Sequence, residues 1–179
     1  MKHISKAIIL LLILNSQFTI LNSYGQTSAK LYNENQDFRA DLKKAKELAL
    51  KEDKHILVQF GGNWCPWCLR FHALVNGLPK LDSVMKENYV YLLANVPHEK
   101  QKRDNDLFRE FGYPNRFGYP VFVILDKNGN RLNTQDSDAF EYPNPDVKGY
   151  DTTKVTRFLT MWTPKAVAPA TYQVKPATR

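Results

Sequence analysis

The chain has 179 residues, with 25 Lys and Arg against 18 Asp and Glu, a formal net charge of +7 and 43% hydrophobic residues. This is enough for one domain with a sizeable core. Only two cysteines are present, which excludes a scaffold held together by a disulfide framework. The lysines and arginines are interleaved with acids in Asp41-Leu42-Lys43-Lys44-Ala45-Lys46-Glu47 and Glu99-Lys100-Gln101-Lys102-Arg103-Asp104. That is a solvated surface rather than a basic stripe, so no nucleic-acid partner is expected.

Two lysines, Lys2 and Lys6, precede the short apolar run of residues 7–14, and polar residues follow. This is the layout of a secretory signal peptide, and the run is well short of the ~20 residues that span a bilayer. Ser23-Tyr24-Gly25 places small residues where a signal peptidase reads, so cleavage is expected after Gly25, with an uncleaved anchor as the alternative. Loss of the two lysines takes the formal charge from +7 to +5. In either case the rest of the chain is expected to be periplasmic or secreted.

Residues 26–37 are polar and read as a flexible lead-in to a domain spanning 38–162. Phe38, Leu42, Ala45, Leu48 and Ala49 recur at helical spacing behind Asp37, a candidate N-cap, and predict a helix ending near Lys51. Residues 56–60 are apolar at nearly every position, as in a central strand covered on both faces, with Gln59 the polar exception. Gly61-Gly62-Asn63-Trp64-Cys65-Pro66-Trp67-Cys68 follows, and residues 69–75 can continue as a helix. Two residues between cysteines bring both sulfurs to one helical turn. At a helix start, unpaired N–H groups and the positive dipole end stabilise a thiolate. A sulfur so placed can lose its proton near neutral pH, whereas a free thiol has a pKa of about 8.5. A structural bridge is the alternative, but it would close a loop too small to restrain much of the unfolded chain.

Gly77-Leu78-Pro79 interrupts the helix, and Leu81, Val84 and Met85 resume it to about Asn88. Residues 89–96 read as a second strand parallel to the first. Residues 97–103 read as loop, and Asp104 or Asn105 can cap a short helix carrying Leu107, Phe108 and Phe111. A turn-rich stretch ending in Gly118-Tyr119-Pro120 enters a strand at 121–125. Asn128-Gly129 then signals a hairpin to a strand starting near Arg131. Residues 133–149 read as an irregular insertion. Asp151-Thr152-Thr153 caps a last helix with Val155, Phe158, Leu159 and Trp162 on one face, and residues 163–179 read as a disordered tail.

The apolar strand, Trp64-Cys65-Pro66-Trp67-Cys68 at a helix start, and Gly118-Tyr119-Pro120 entering a core strand before an Asn-Gly turn together resemble the thioredoxin superfamily over residues 38–162. The resemblance implies an α/β, three-layer fold with a central mixed sheet flanked by helices. It implies Cys65 as the exposed nucleophile, Cys68 as the buried resolving thiol, and a cis bond at Tyr119-Pro120. Trp64, Pro66, Trp67, Tyr119 and Pro120 would form the rim that meets substrate, although plain packing suits Trp67 equally well. Gln59 departs from the family, whose thioredoxins carry a buried aspartate there, and residues 89–96 lack the lysine that partners it. A neutral amide cannot accept the proton that the aspartate accepts, so proton handling must rely on water, another side chain or an already acidic Cys65.

The expected activity is thiol–disulfide exchange on protein disulfides or dithiols, in the reductase direction by preference, by a monomer without cofactor or metal. A membrane-bound electron donor is the partner expected of an exported reductase. Two other classes stay open. Cys65, Cys68 and His72 fall on one helical face and suit copper or zinc, and a binding module could keep the fold without turnover.

Overall fold

The computed structural model describes residues 30–144 and 146–168. The expected signal segment, residues 1–25, thus lies outside the described residues, as does the end of the tail. At the centre is strand β1, His55–Gly61, whose seven residues are all buried. It pairs in parallel with β2, Tyr89–Asn95, and antiparallel with β3, Val121–Leu125, which in turn pairs antiparallel with β4, Arg131–Asp136. The sheet order is β2-β1-β3-β4, so the apolar runs at 56–60, broken only by Gln59, and at 121–125 are the two central strands.

Side-chain alternation sends Ile56, Val58 and Phe60 of β1 and Val121 and Val123 of β3 to one face. There they meet α1, Phe38–Glu52, and α4, Asn105–Glu110. Leu57, Phe122 and Ile124 point the other way, onto α2, Pro66–Gly77, α3, Pro79–Asn88, and α5, Thr152–Met161. The result is the three-layer mixed arrangement expected from the sequence. Helix starts are set by side chains that satisfy orphan N–H groups: Asp37 accepts from Ala40, Asp104 from Leu107, and Asp151 from Thr153 and Lys154. Pro79 begins α3 immediately after Leu78, which ends α2, giving the break that Gly77-Leu78-Pro79 predicts.

Three expectations need correction. Residues 133–149 are not irregular throughout: β4 runs to Asp136, a short 3-10 turn at Asp138–Phe140 buries Phe140, and Glu141 bridges Tyr150. β4 is an edge strand with partly exposed side chains, so it carries no apolar run to betray it. Helical structure also continues past residue 162, because Thr163 caps a one-turn helix α6, Pro164–Val167. Finally, residues 30–37 are no loose lead-in, since Tyr32 is 1% exposed and packs against both cysteines.

Candidate active site

β1 ends where two glycines are required by space. A Cβ on Gly61 would stand 2.4 Å from Cys68 Sγ, and one on Gly62 would meet the Trp64 ring at 2.5 Å. The chain turns through Asn63, with Cys65 N–H donating to Gly62 O at 3.0 Å. Cys65 then takes an extended N-cap conformation, φ −102° and ψ 100°, and Pro66 opens α2. Proline suits that first position because its missing N–H would have had no partner. Cys68 N–H donates to Cys65 Sγ at 3.2 Å, so the cap is the sulfur itself. Negative charge developing on Cys65 would meet a backbone donor and the positive end of the helix.

Cys65 and Cys68 form a disulfide, with Cα atoms 5.3 Å apart. Cys68 is fully buried, as expected, but Cys65 is only 3% exposed. The expectation of an exposed Cys65 is therefore corrected for this oxidised state, in which Trp67 and Tyr119 pack over the pair. The Tyr119-Pro120 bond is cis. Gly118 precedes it at φ +81°, a left-handed conformation that suits glycine. The loop faces the disulfide: Tyr119 packs against the cysteine cluster and stands edge-on to Trp64, centroids 5.5 Å apart.

Trp64 donates its indole N–H to Val96 O at 2.8 Å and stays 38% exposed. Pro66 is exposed and Pro120 buried. Trp67 is half-buried. One edge contact ties it to Tyr150 at 5.1 Å, and the Arg70 guanidinium sits 5.0 Å from its ring, so packing accounts for much of it. Phe117 and Tyr113, which the sequence did not single out, add exposed aromatic surface in the segment leading to Gly118. The Tyr119 hydroxyl is buried without a hydrogen-bond partner, and burial raises its pKa.

Behind the disulfide lies a polar pocket. Gln59 is fully buried and donates through Nε2 to Tyr32 Oη at 2.5 Å and to Cys68 O at 3.1 Å, while its Oε1 accepts from the Tyr91 hydroxyl. Burial pushes the pKa values of Tyr32 and Tyr91 up. Tyr91 could have been found from the sequence, because it lies two residues from the β2 partner of Gln59, Leu93, and so shares its face. Tyr32 carried no such signal. Asn63 fixes it reciprocally, accepting from Tyr32 N–H at 2.9 Å and donating to Tyr32 O at 2.8 Å. His72 goes elsewhere: its ring stacks on Tyr91, and among the described residues no three His, Cys, Asp or Glu side chains gather as a metal site. The cluster of Cys65, Cys68 and His72 considered for copper or zinc is therefore not assembled.

Residues 37–127, about half of the chain, match the thioredoxin-like family. Over 84 residues the chain is 32% identical to the thioredoxin-like protein HCF164, chloroplastic, of Oryza sativa subsp. japonica. The match covers 47% of this chain and 29% of that protein, so the chain spans less than a third of the length of this curated relative. Among solved structures, a disulphide isomerase from Xylella fastidiosa Temecula1 superimposes with a TM-score of 0.60 at 22% identity, over 73% of this chain and 94% of that one. At that identity the likeness speaks for the fold, and it agrees with the sheet order and the helix layers described above. With a match covering half its length and a Cys-Pro-Trp-Cys pair at the mouth of a helix, this chain belongs to the thioredoxin-like family.

Proposed function

We propose that the protein is an exported thiol–disulfide oxidoreductase that reduces protein disulfides through Cys65 and Cys68. The observation that carries the reading is the Cys65–Cys68 disulfide at the α2 N-terminus, with a backbone N–H on the Cys65 sulfur and the Tyr119-Pro120 loop against it. In the reduced pair, the Cys65 thiolate attacks one sulfur of a substrate disulfide; that S–S bond breaks and a mixed disulfide forms. Cys68 then attacks Cys65, the mixed bond breaks, and the second substrate sulfur leaves as a thiol. Two electrons pass to the substrate and the protein is left in its disulfide form. A donor dithiol restores it, becoming a disulfide itself; for an exported protein a membrane-bound donor fits.

Trp64, Pro66, Trp67, Tyr119 and Pro120 contribute the surface that receives substrate chain beside the pair. Because Cys65 is nearly covered in the oxidised form, attack follows reduction, which frees its sulfur from Cys68. Export rests on the amino-terminal pattern of Lys2, Lys6 and the apolar run of residues 7–14.

A disulfide-reduction assay on insulin tests the activity. Wild type is expected to turn over with a dithiol as reductant. Cys65→Ser abolishes turnover, and Cys68→Ser leaves trapped mixed disulfides visible on non-reducing gels. Activity that survives in Cys65→Ser, or an inert wild type, refutes the reading and leaves a binding module. The equilibrium reduction potential then sets the direction: a value near that of thioredoxin, about −270 mV, supports a reductase, and one near −120 mV an oxidase.

A further inference from the structure

Buried polar side chains are few among the described residues: His55, Gln59 and Ser137, none of them a carboxylate. His55 lies at the far end of β1, where it bonds to Trp162 O. Ser137 follows the end of β4 and bonds to Tyr150. Gln59 lies directly behind the disulfide, bonded to Cys68 O, and its bonds fix its orientation. Oε1 accepts from Tyr91, so Nε2 must face Tyr32 and Cys68 O. Tyr32 Oη is thereby an acceptor, and its own proton is left to point elsewhere. The Tyr32 hydroxyl and the Cys68 sulfur flank the same spot, 2.8 and 2.4 Å from where a Cβ on Gly61 would stand. Glycine at 61 keeps that spot open, and the ring packs in one cluster with both cysteines. The segment that carries Tyr32 is tied down by amide side chains. Asn63 pairs with its backbone, and Gln36 bonds to Leu93 O and Asn95 N on β2.

We infer that Tyr32 supplies a hydrogen bond to the Cys68 sulfur once the pair is reduced, with Gln59 and Tyr91 as positioning residues that aim it. The inference rests on the redox reading above. During resolution Cys68 bonds to Cys65 Sγ, the bond from Cys65 to substrate breaks, and the proton given up by Cys68 ends on the departing substrate sulfur. Tyr32 keeps its own proton throughout and stabilises the passing negative charge on Cys68 as a dipole. The tyrosines and the histidine that line this pocket or touch its members are uniform in this respect. Tyr32 precedes α1, Tyr91 is on β2, Tyr119 is before β3, Tyr150 is before α5, and His72 is one turn further along α2 itself. Burial raises the four tyrosines and lowers the histidine, so all are neutral at neutral pH. A thiolate at Cys68 thus meets neutral hydroxyl and amide dipoles, at the place where thioredoxins keep a carboxylate that accepts the thiol's proton.

The test is a titration of Cys68 alone, in the full chain carrying Cys65→Ser, followed by thiolate ultraviolet absorbance and by alkylation rate against pH. Adding Tyr32→Phe, which keeps the ring and removes the hydroxyl, is expected to raise the midpoint by about one pH unit, or roughly tenfold less thiolate at a given pH. Tyr91→Phe should move it in the same direction by less. An unmoved midpoint in Tyr32→Phe, with the near-ultraviolet circular dichroism of the parent, overturns the inference. Should Tyr32→Phe not fold, an unmoved midpoint in Tyr91→Phe overturns it equally. This readout needs no turnover, so an inert wild type in the insulin assay would sink the redox reading while leaving the titration to judge Tyr32 separately.

Discussion

The two faces of β1 are built to different rules. On one, Ile56, Val58 and Phe60 enter a layer of hydrocarbon in which Phe60 meets Phe38, Phe108 and Phe111 at centroid distances of 5.9, 6.4 and 5.3 Å. On the other, Leu57 continues the hydrocarbon, but Gln59 and Gly61 open a pocket of hydroxyls, an amide and two sulfurs. One strand therefore carries adhesion on one side and, at its carboxyl end, a polar chamber on the other. The apolar face tolerates no loss of volume, whereas the polar end tolerates no loss of geometry, because its bonds are few and each depends on the next.

Three substitutions sharpen that contrast, beyond those at Cys65 and Tyr32. The largest effect on stability is expected from Phe60→Ala, which leaves a cavity in the aromatic layer and costs about 3–5 kcal/mol. Urea unfolding measures it, and the disulfide chemistry of the surviving folded protein should be unchanged. A loss below about 1 kcal/mol would mean that this face is not the adhesive one. Next comes Gly61→Ala, whose new methyl would collide with Cys68 Sγ and Tyr32 Oη. Overpacking of this kind costs about 1–3 kcal/mol, and here it should also slow exchange by pushing Tyr32 from the sulfur. An active, fully stable Gly61→Ala would show the chamber to be looser than its geometry suggests.

Last comes Gln59→Asp, which replaces a neutral amide by a titrating group and is read through its pH dependence. Burial disfavours the charged form, so the folded protein holds this proton more tightly than the unfolded chain, where an aspartate has a pKa of about 3.9. The folded state then binds more protons, and stability relative to wild type falls as pH rises above about 4, levelling off above the folded pKa. Denaturant unfolding at several pH values measures this. The exchange rate should gain a new pH-dependent limb, displaced by about one unit or 1.4 kcal/mol. A pH–rate profile identical to wild type would show that the group at position 59 does not take part in proton handling.

Much of this architecture could be read from residues alone, and the reasons are local. β1 and β3 are contiguous apolar runs because both faces of each are covered, and Asp37, Asp104 and Asp151 announce helices through bonds to N–H groups two or three residues away. The Cys-Pro-Trp-Cys pair and the Tyr119-Pro120 loop were legible as a combination. What was not legible depends on distance along the chain. Tyr32 reaches Gln59 across 27 residues, and the Tyr150 hydroxyl reaches Trp67 O across 83. Each sits in a polar stretch that shows no period, so an isolated aromatic was the only trace. β4 escaped for the opposite reason: pairing along a sheet edge asks nothing of its side chains.

The short tether between Asn63 and the backbone of Tyr32 has a practical consequence for handling the protein. Anything joined just ahead of residue 30, whether a purification handle, a fluorophore or a surface linker, would enter beside the sulfurs and crowd the approach of a partner. At the opposite end of the molecule Trp162, closing α5, bonds to His55 at the start of β1, and the seven residues of that strand set this point roughly 20 Å from the disulfide. Immobilisation and labelling belong at that end, where the sulfurs stay free to react.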